Sequence, residues 1–119
     1  MNETEFEALA GAELARIEQA LEASGVDADV EPKGDGVLEI EFADGSKMII
    51  NRHGAAREIW VAARSGGFHF RRDQANNSND TNDARWRDTR DGTELYAALS
   101  RLVSEQSGET VALPGPGEA

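Results

Sequence analysis

The chain contains no cysteine. Disulfides, thiolate nucleophiles, zinc–thiolate sites and cysteine-held clusters are excluded, so any metal it handles must be held by oxygen or imidazole. Histidine is nearly absent too: His53 and His69 are the only two, and neither has the spacing of a zinc or non-haem iron triad. No run approaches the roughly 18 consecutive apolar residues that cross a bilayer. The start, Met1-Asn2-Glu3-Thr4-Glu5, is acidic where a secretory signal is basic and then apolar, which predicts a cytoplasmic protein with no membrane partner. Missing as well are a Ser–His–Asp order, a phosphate loop, a Gly-rich dinucleotide fingerprint and a carboxylate pair in an evident pocket, and these absences argue against an enzyme. A ferroxidase would need a preorganised di-iron site, and no Glu-x-x-His motif occurs.

Positive charge is scarce in one region. Residues 1–44 hold thirteen acids against only Arg16 and Lys33, a balance of −11, whereas residues 45–119 hold ten acids and ten bases. The whole excess of the chain, 12 bases minus 23 acids or −11, therefore sits in the first third. Such a field repels phosphate backbones and anionic lipid and attracts cations or a basic protein surface, so nucleic acid is not the expected partner. With 119 residues the chain has material for one domain and one modest core.

Phe6, Leu9, Ala10, Leu14, Ile17 and Leu21 recur at steps of three and four and predict an amphipathic helix, with Thr4 or Asn2 as its cap and Ser24-Gly25 as its stop. At ~100° per residue, Glu7, Glu18 and Glu22 fall along one edge of that stripe and form an acidic ridge. Val26–Glu31 alternates apolar and acidic residues as a half-buried strand does, ending at Pro32. Val37–Phe42 and Lys47–Asn51 flank Asp44-Gly45, a hairpin signal, and Arg57–Ala63 and Phe68–Phe70 flank Ser65-Gly66-Gly67, another. Residues 73–84 carry no large apolar side chain and predict a mobile polar loop. A short strand follows around Trp86. Leu95, Leu99, Leu102 and Val103 mark a second helix, entered near Asp91 or Thr93 and closed by Gly108. Glu109–Leu113 is expected to lie against the domain, and 114–119, which begins Pro-Gly-Pro-Gly, to be a disordered tail. The order of elements predicts an α+β, two-layer sandwich, with the N- and C-terminal helices packed on one face of a five- to six-stranded antiparallel sheet.

Glu7, Glu18, Glu22, Asp27, Asp29 and Glu31 are the one dense constellation. Carboxylates suit hard cations, but a convex ridge spreads its ligands, so binding is expected to be weak, multiple and poorly selective. A solvated face kept for solubility is the competing reading. His69 alternates with Phe68 and Phe70 and should sit on the opposite face of the sheet. Trp60 alternates with Ile59 and Val61, which puts its indole on the open face, either as an interaction anchor or covered by neighbours such as Asn51 and Arg64.

Particular residues, in this order, carry a resemblance. Gly45-Ser46-Lys47-Met48-Ile49-Ile50-Asn51-Arg52, then Ile59-Trp60-Val61-Ala62, then Gly66-Gly67-Phe68-His69-Phe70 is similar to the sheet motif of the bacterial frataxin (CyaY) family. Phe6, Leu9, Ile17 and Leu21, Trp86 with Asp88, Arg90-Asp91-Gly92-Thr93-Glu94 and Gly108-Glu109-Thr110-Val111 extend the match over roughly residues 3–113. The resemblance implies a frataxin-like domain over 1–113 and a non-catalytic, iron-binding regulator of iron–sulfur cluster assembly. In that reading iron (Fe2+/Fe3+) is bound weakly at the surface, through Glu7, Glu18, Glu22, Asp27, Asp29 and Glu31. It implies a partner, the cysteine desulfurase, met through Glu18, Glu22, Asp27, Asp29, Asn51 and Trp60, with the cluster scaffold protein nearby. It also implies a monomer that iron can drive into oligomers. An iron chaperone or iron-sequestering protein delivering ferrous iron to the scaffold is the alternative. Two departures stand out: Gln19 and Ala23 interrupt the acidic crowd at the end of helix 1, and the loop at 73–84 is longer and more polar than the family's short turn.

Overall fold

The structure, a computed structural model, describes residues 2–73 and 85–115. Helix α1 runs Glu3–Ser24; Asn2 caps it by accepting the Glu5 N–H at 2.8 Å, and Gly25, at φ +76°, ends it. Of its apolar stripe Phe6, Ala10, Leu14, Ile17 and Leu21 are buried. Six strands follow in chain order: β1 Ala28–Pro32, β2 Val37–Phe42, β3 Lys47–His53, β4 Glu58–Ala63, β5 Gly66–Arg72 and β6 Trp86–Asp88. Each pairs antiparallel with the next in the order β1-β2-β3-β4-β5-β6. Pro32 ends β1 as its last residue, as expected; β1 lies at a sheet edge, where a missing N–H breaks no ladder.

Period-two alternation divides the sheet into two faces. Leu38, Ile40, Phe42, Met48, Ile50, Ile59, Val61, Phe70 and Trp86 join the buried residues of both helices in a single core, so α1 and α2 (Leu95–Ser107) cover the same face, as expected. Trp86 meets Phe6 edge-on at 6.0 Å. The tail also lies on the core, through Val111 and Leu113, both buried. Its backbone is tied to α2: Ser104 Oγ accepts the Val111 N–H at 2.9 Å and Ser100 Oγ accepts the Leu113 N–H at 2.8 Å.

The start of α2 differs from the expectation of a cap at Asp91 or Thr93. Glu94 is the cap, its carboxylate accepting from the Tyr96 and Ala97 N–H groups. Asp91 is engaged in its own turn, accepting from the Thr93 N–H at 3.0 Å, and the Thr93 carbonyl accepts from Asp88 N–H at 2.8 Å. Neither was left to begin a helix. Gly108, at φ +76°, closes α2 as expected. The loop predicted at 73–84 lies, Asp73 apart, outside the described residues, as do 116–119 of the tail; Pro114 is exposed and Gly115 buried.

Candidate functional site

Two surfaces carry the residues singled out in the sequence. The first runs from the flank of α1 to the β1 edge. Glu7, Glu22, Asp27, Asp29 and Glu31 are exposed and Glu18 is half-buried. Glu18 sits in a groove between α1 and the β1–β2 connection with Gly11, Leu14, Ala15 and Pro32. Asp27 and Asp29 share a shallow depression with Glu41, and the backbone N–H of Asp27 is tied to the Glu109 carboxylate at 3.0 Å. Glu31 is taken up differently: Lys33 reaches it at 3.3 Å. Lys33 and Lys47 also flank Glu39, at 3.7 and 2.8 Å. The hydrogen bond from Lys47 holds the Glu39 carboxyl below the usual carboxylate range and, in return, Lys47 above its own. Among the described residues, Glu7, Glu18, Glu22, Asp27 and Asp29 form no ion pair. Nor does any group of three or more His, Asp or Glu side chains there converge on a point that could hold a metal. The chemistry available is single-carboxylate or solvent-shared attraction for hard cations, plus a negative field.

The second surface is the open face of the sheet. Asn51 and Trp60 are directly opposite each other, and Trp60 is opposite His69. The indole is half-buried, and Arg64 is not part of its cover. Arg64 turns away to Asp44 at 2.9 Å and to the Gln106 carbonyl at 3.0 Å. The imidazoles of His53 and His69 stack on the two faces of the indole instead, with centroids at 3.8 and 4.5 Å and planes within 10° of parallel. Glu58, buried although on the open face, accepts from Trp60 Nε1–H at 2.8 Å and from Arg71 at 2.9 Å. Sequence reasoning placed His69 on this face but missed the stack and Glu58. The available signal was the alternation itself, since 58, 60, 69 and 71 share a parity relation across adjacent strands.

Two further polar side chains take roles that the sequence does not reveal. Glu13, counted among the acids of the first third, is buried where α1 meets α2; it accepts a short hydrogen bond from Tyr96 OH and pairs with Arg16 at 3.2 Å. Arg52 extends under the β1–β2 loop to Asp35 at 2.9 Å, past Gly36, where a Cβ would lie 2.6 Å from its Nε.

Residues 1–109 match the frataxin-like domain family. Among curated proteins, the iron–sulfur cluster assembly protein CyaY of Dechloromonas aromatica is 57% identical over 113 residues, which cover 95% of this chain and 99% of that one. The protein of the same name from Ralstonia nicotianae is 56% identical over 116 residues, 95% of each chain. Among solved structures, the frataxin of Psychromonas ingrahamii superposes with a TM-score of 0.77 at 35% identity, over 94% of this chain and 97% of that one. With a helix at each end of a six-stranded meander, both on one face, and sequence identity along nearly its whole length, this chain belongs to the frataxin-like family.

Proposed function

We propose that this protein is a regulatory binding module of iron–sulfur cluster assembly, not a catalyst, that docks on the cysteine desulfurase through its acidic flank, responds to weakly held iron, and works near the cluster scaffold. The observation that carries the reading is the flank itself: Glu18 and Glu22 on α1 and Asp27 and Asp29 at β1 have no cation of their own among the described residues. Uncompensated surface charge contributes little to folding and much to steering toward a surface of opposite sign. The names of the relatives supply the pathway. Asn51 and Trp60, at the centre of the open face, provide a second contact, in which an indole contributes large area at small entropic cost. Iron is cargo or signal here, held by scattered carboxylates and in exchange with other hard cations.

The test is reversal of Glu18, Glu22, Asp27 and Asp29 to Lys. Affinity for purified cysteine desulfurase should collapse while the fold, checked by circular dichroism, survives. For the parent protein, a few tenths molar salt should slow association more than it speeds dissociation, because at ~0.15 M the Debye length is about 8 Å. Unchanged affinity of the four-site variant at low salt would end the docking reading. Titration with paramagnetic ions should broaden amide signals of Glu18–Glu31 first; first broadening at His53 or His69 would point to an imidazole site instead. Iron binding that persists at full strength with desulfurase affinity lost would fit a regulator whose iron lies elsewhere, whereas desulfurase affinity intact with iron lost would fit an iron carrier.

A further inference from the structure

We propose that Glu58, His53 and His69 are positioning residues for Trp60: they fix the indole upright on the open face, so that a partner meets its outer edge and not its π faces. The inference rests on the reading of Trp60 as a partner contact.

The arrangement is built from both sides. Trp60 Nε1–H donates to Glu58 Oε1 at 2.8 Å, which sets the rotation of the ring. Glu58 is itself fixed, because Arg71 donates to its other oxygen at 2.9 Å and its side chain is only 9% exposed. An indole tied at one atom can still rock, and the two imidazoles remove that freedom by stacking at 3.8 and 4.5 Å. His53 is held in turn: its Nδ1 accepts the Ala56 N–H at 3.3 Å, so the neutral ring carries its proton on Nε2. His69 Nδ1 stands 3.4 Å from Glu58 Oε1. An exposed aromatic ordered before binding loses less freedom on binding, and this is how groups that never touch the partner contribute affinity.

The experiment has one arm without partner and one with it. In the isolated protein, the fluorescence anisotropy of Trp60, taken as the difference from W60F, should fall in H53A/H69A, because the unclamped indole rocks. Wild-type anisotropy in the double variant overturns the clamp. With purified cysteine desulfurase at fixed pH, W60A should lose most of the affinity. E58A and H53A/H69A should each weaken binding by about tenfold. E58Q, whose amide oxygen can still accept the indole N–H, should recover most of the loss. Denaturant unfolding checks each fold, and if E58A does not fold, the exposed-face double variant decides. Loss in W60A with wild-type affinity in E58A and H53A/H69A rejects the positioning role and leaves the contact standing. Wild-type affinity in W60A rejects both.

Discussion

Tyr96 and Glu13 lock α1 to α2 from opposite ends of the chain, and their pairing has a pH signature. Burial first, then the hydrogen bond to the Glu13 carboxylate, pushes the Tyr96 hydroxyl well above its ordinary range. The unfolded chain ionises this group near pH ~10. A group whose folded pKa is raised contributes stability that is fully present below the unfolded value and lost as pH climbs above it. The urea midpoint should therefore hold steady to about pH 9.5 and fall beyond it, and Y96F should flatten that alkaline fall while costing about 1 kcal/mol at neutral pH. Gly36 makes a second prediction at this scale. It sits at φ +80°, with Arg52 Nε 2.6 Å from where a Cβ would be, so G36A should cost on the order of 1–3 kcal/mol through backbone strain and displacement of Arg52. In a double-mutant cycle with R52A, the clash disappears and the strain remains, so the pair should cost less than the sum of its parts.

Among the elements, α2 has the least expected beginning. Removing its cap with E94A should lower stability by about 1 kcal/mol, whereas T93A should do so by much less, measured by chemical unfolding. The sequence offered Asp91, Thr93 and Glu94 in one short stretch, and local preference favours the first two. What decided between them was tertiary: Glu94 forms a β-bridge to Arg87, which sets the chain direction one residue later than the composition suggests. Where a periodic pattern has a partner surface of its own, as along α1 or in the β2–β3 hairpin, the elements and their buried sides could be read directly. The same alternation placed Trp60, Asn51 and His69 on the open face. It could not show that His53 would lie against the indole, because that depends on how the chain at residues 54–57 returns to β4. Nor could it separate Glu13 from the other acids of α1, since burial there depends on Tyr96, 83 residues away in sequence.

As a whole the molecule is an electrically lopsided body, with its −11 excess confined to residues 1–44. Self-repulsion there should make the fold more stable as salt rises from ~0.01 to ~0.3 M, a range over which the Debye length shrinks several-fold. Millimolar magnesium or calcium should add to this as weakly bound ligands of the native state. Thermal melting would check both effects, and the variant with Glu18, Glu22, Asp27 and Asp29 changed to Lys should show a much shallower dependence on salt. The candidate carboxylates also occupy a sheet border. β1 is one of the two edge strands, and it carries Asp29, Glu31 and Pro32. A bare strand at that position is a template on which another chain can polymerise, and charge and proline are what prevent it. Asp29, proposed to recruit a partner, and Glu31, one of the candidate iron carboxylates, thus double as guards against uncontrolled assembly. Replacing Asp29 and Glu31 with valine should promote aggregation, as light scattering would reveal, whereas lysine at those positions keeps the border closed while reversing its field.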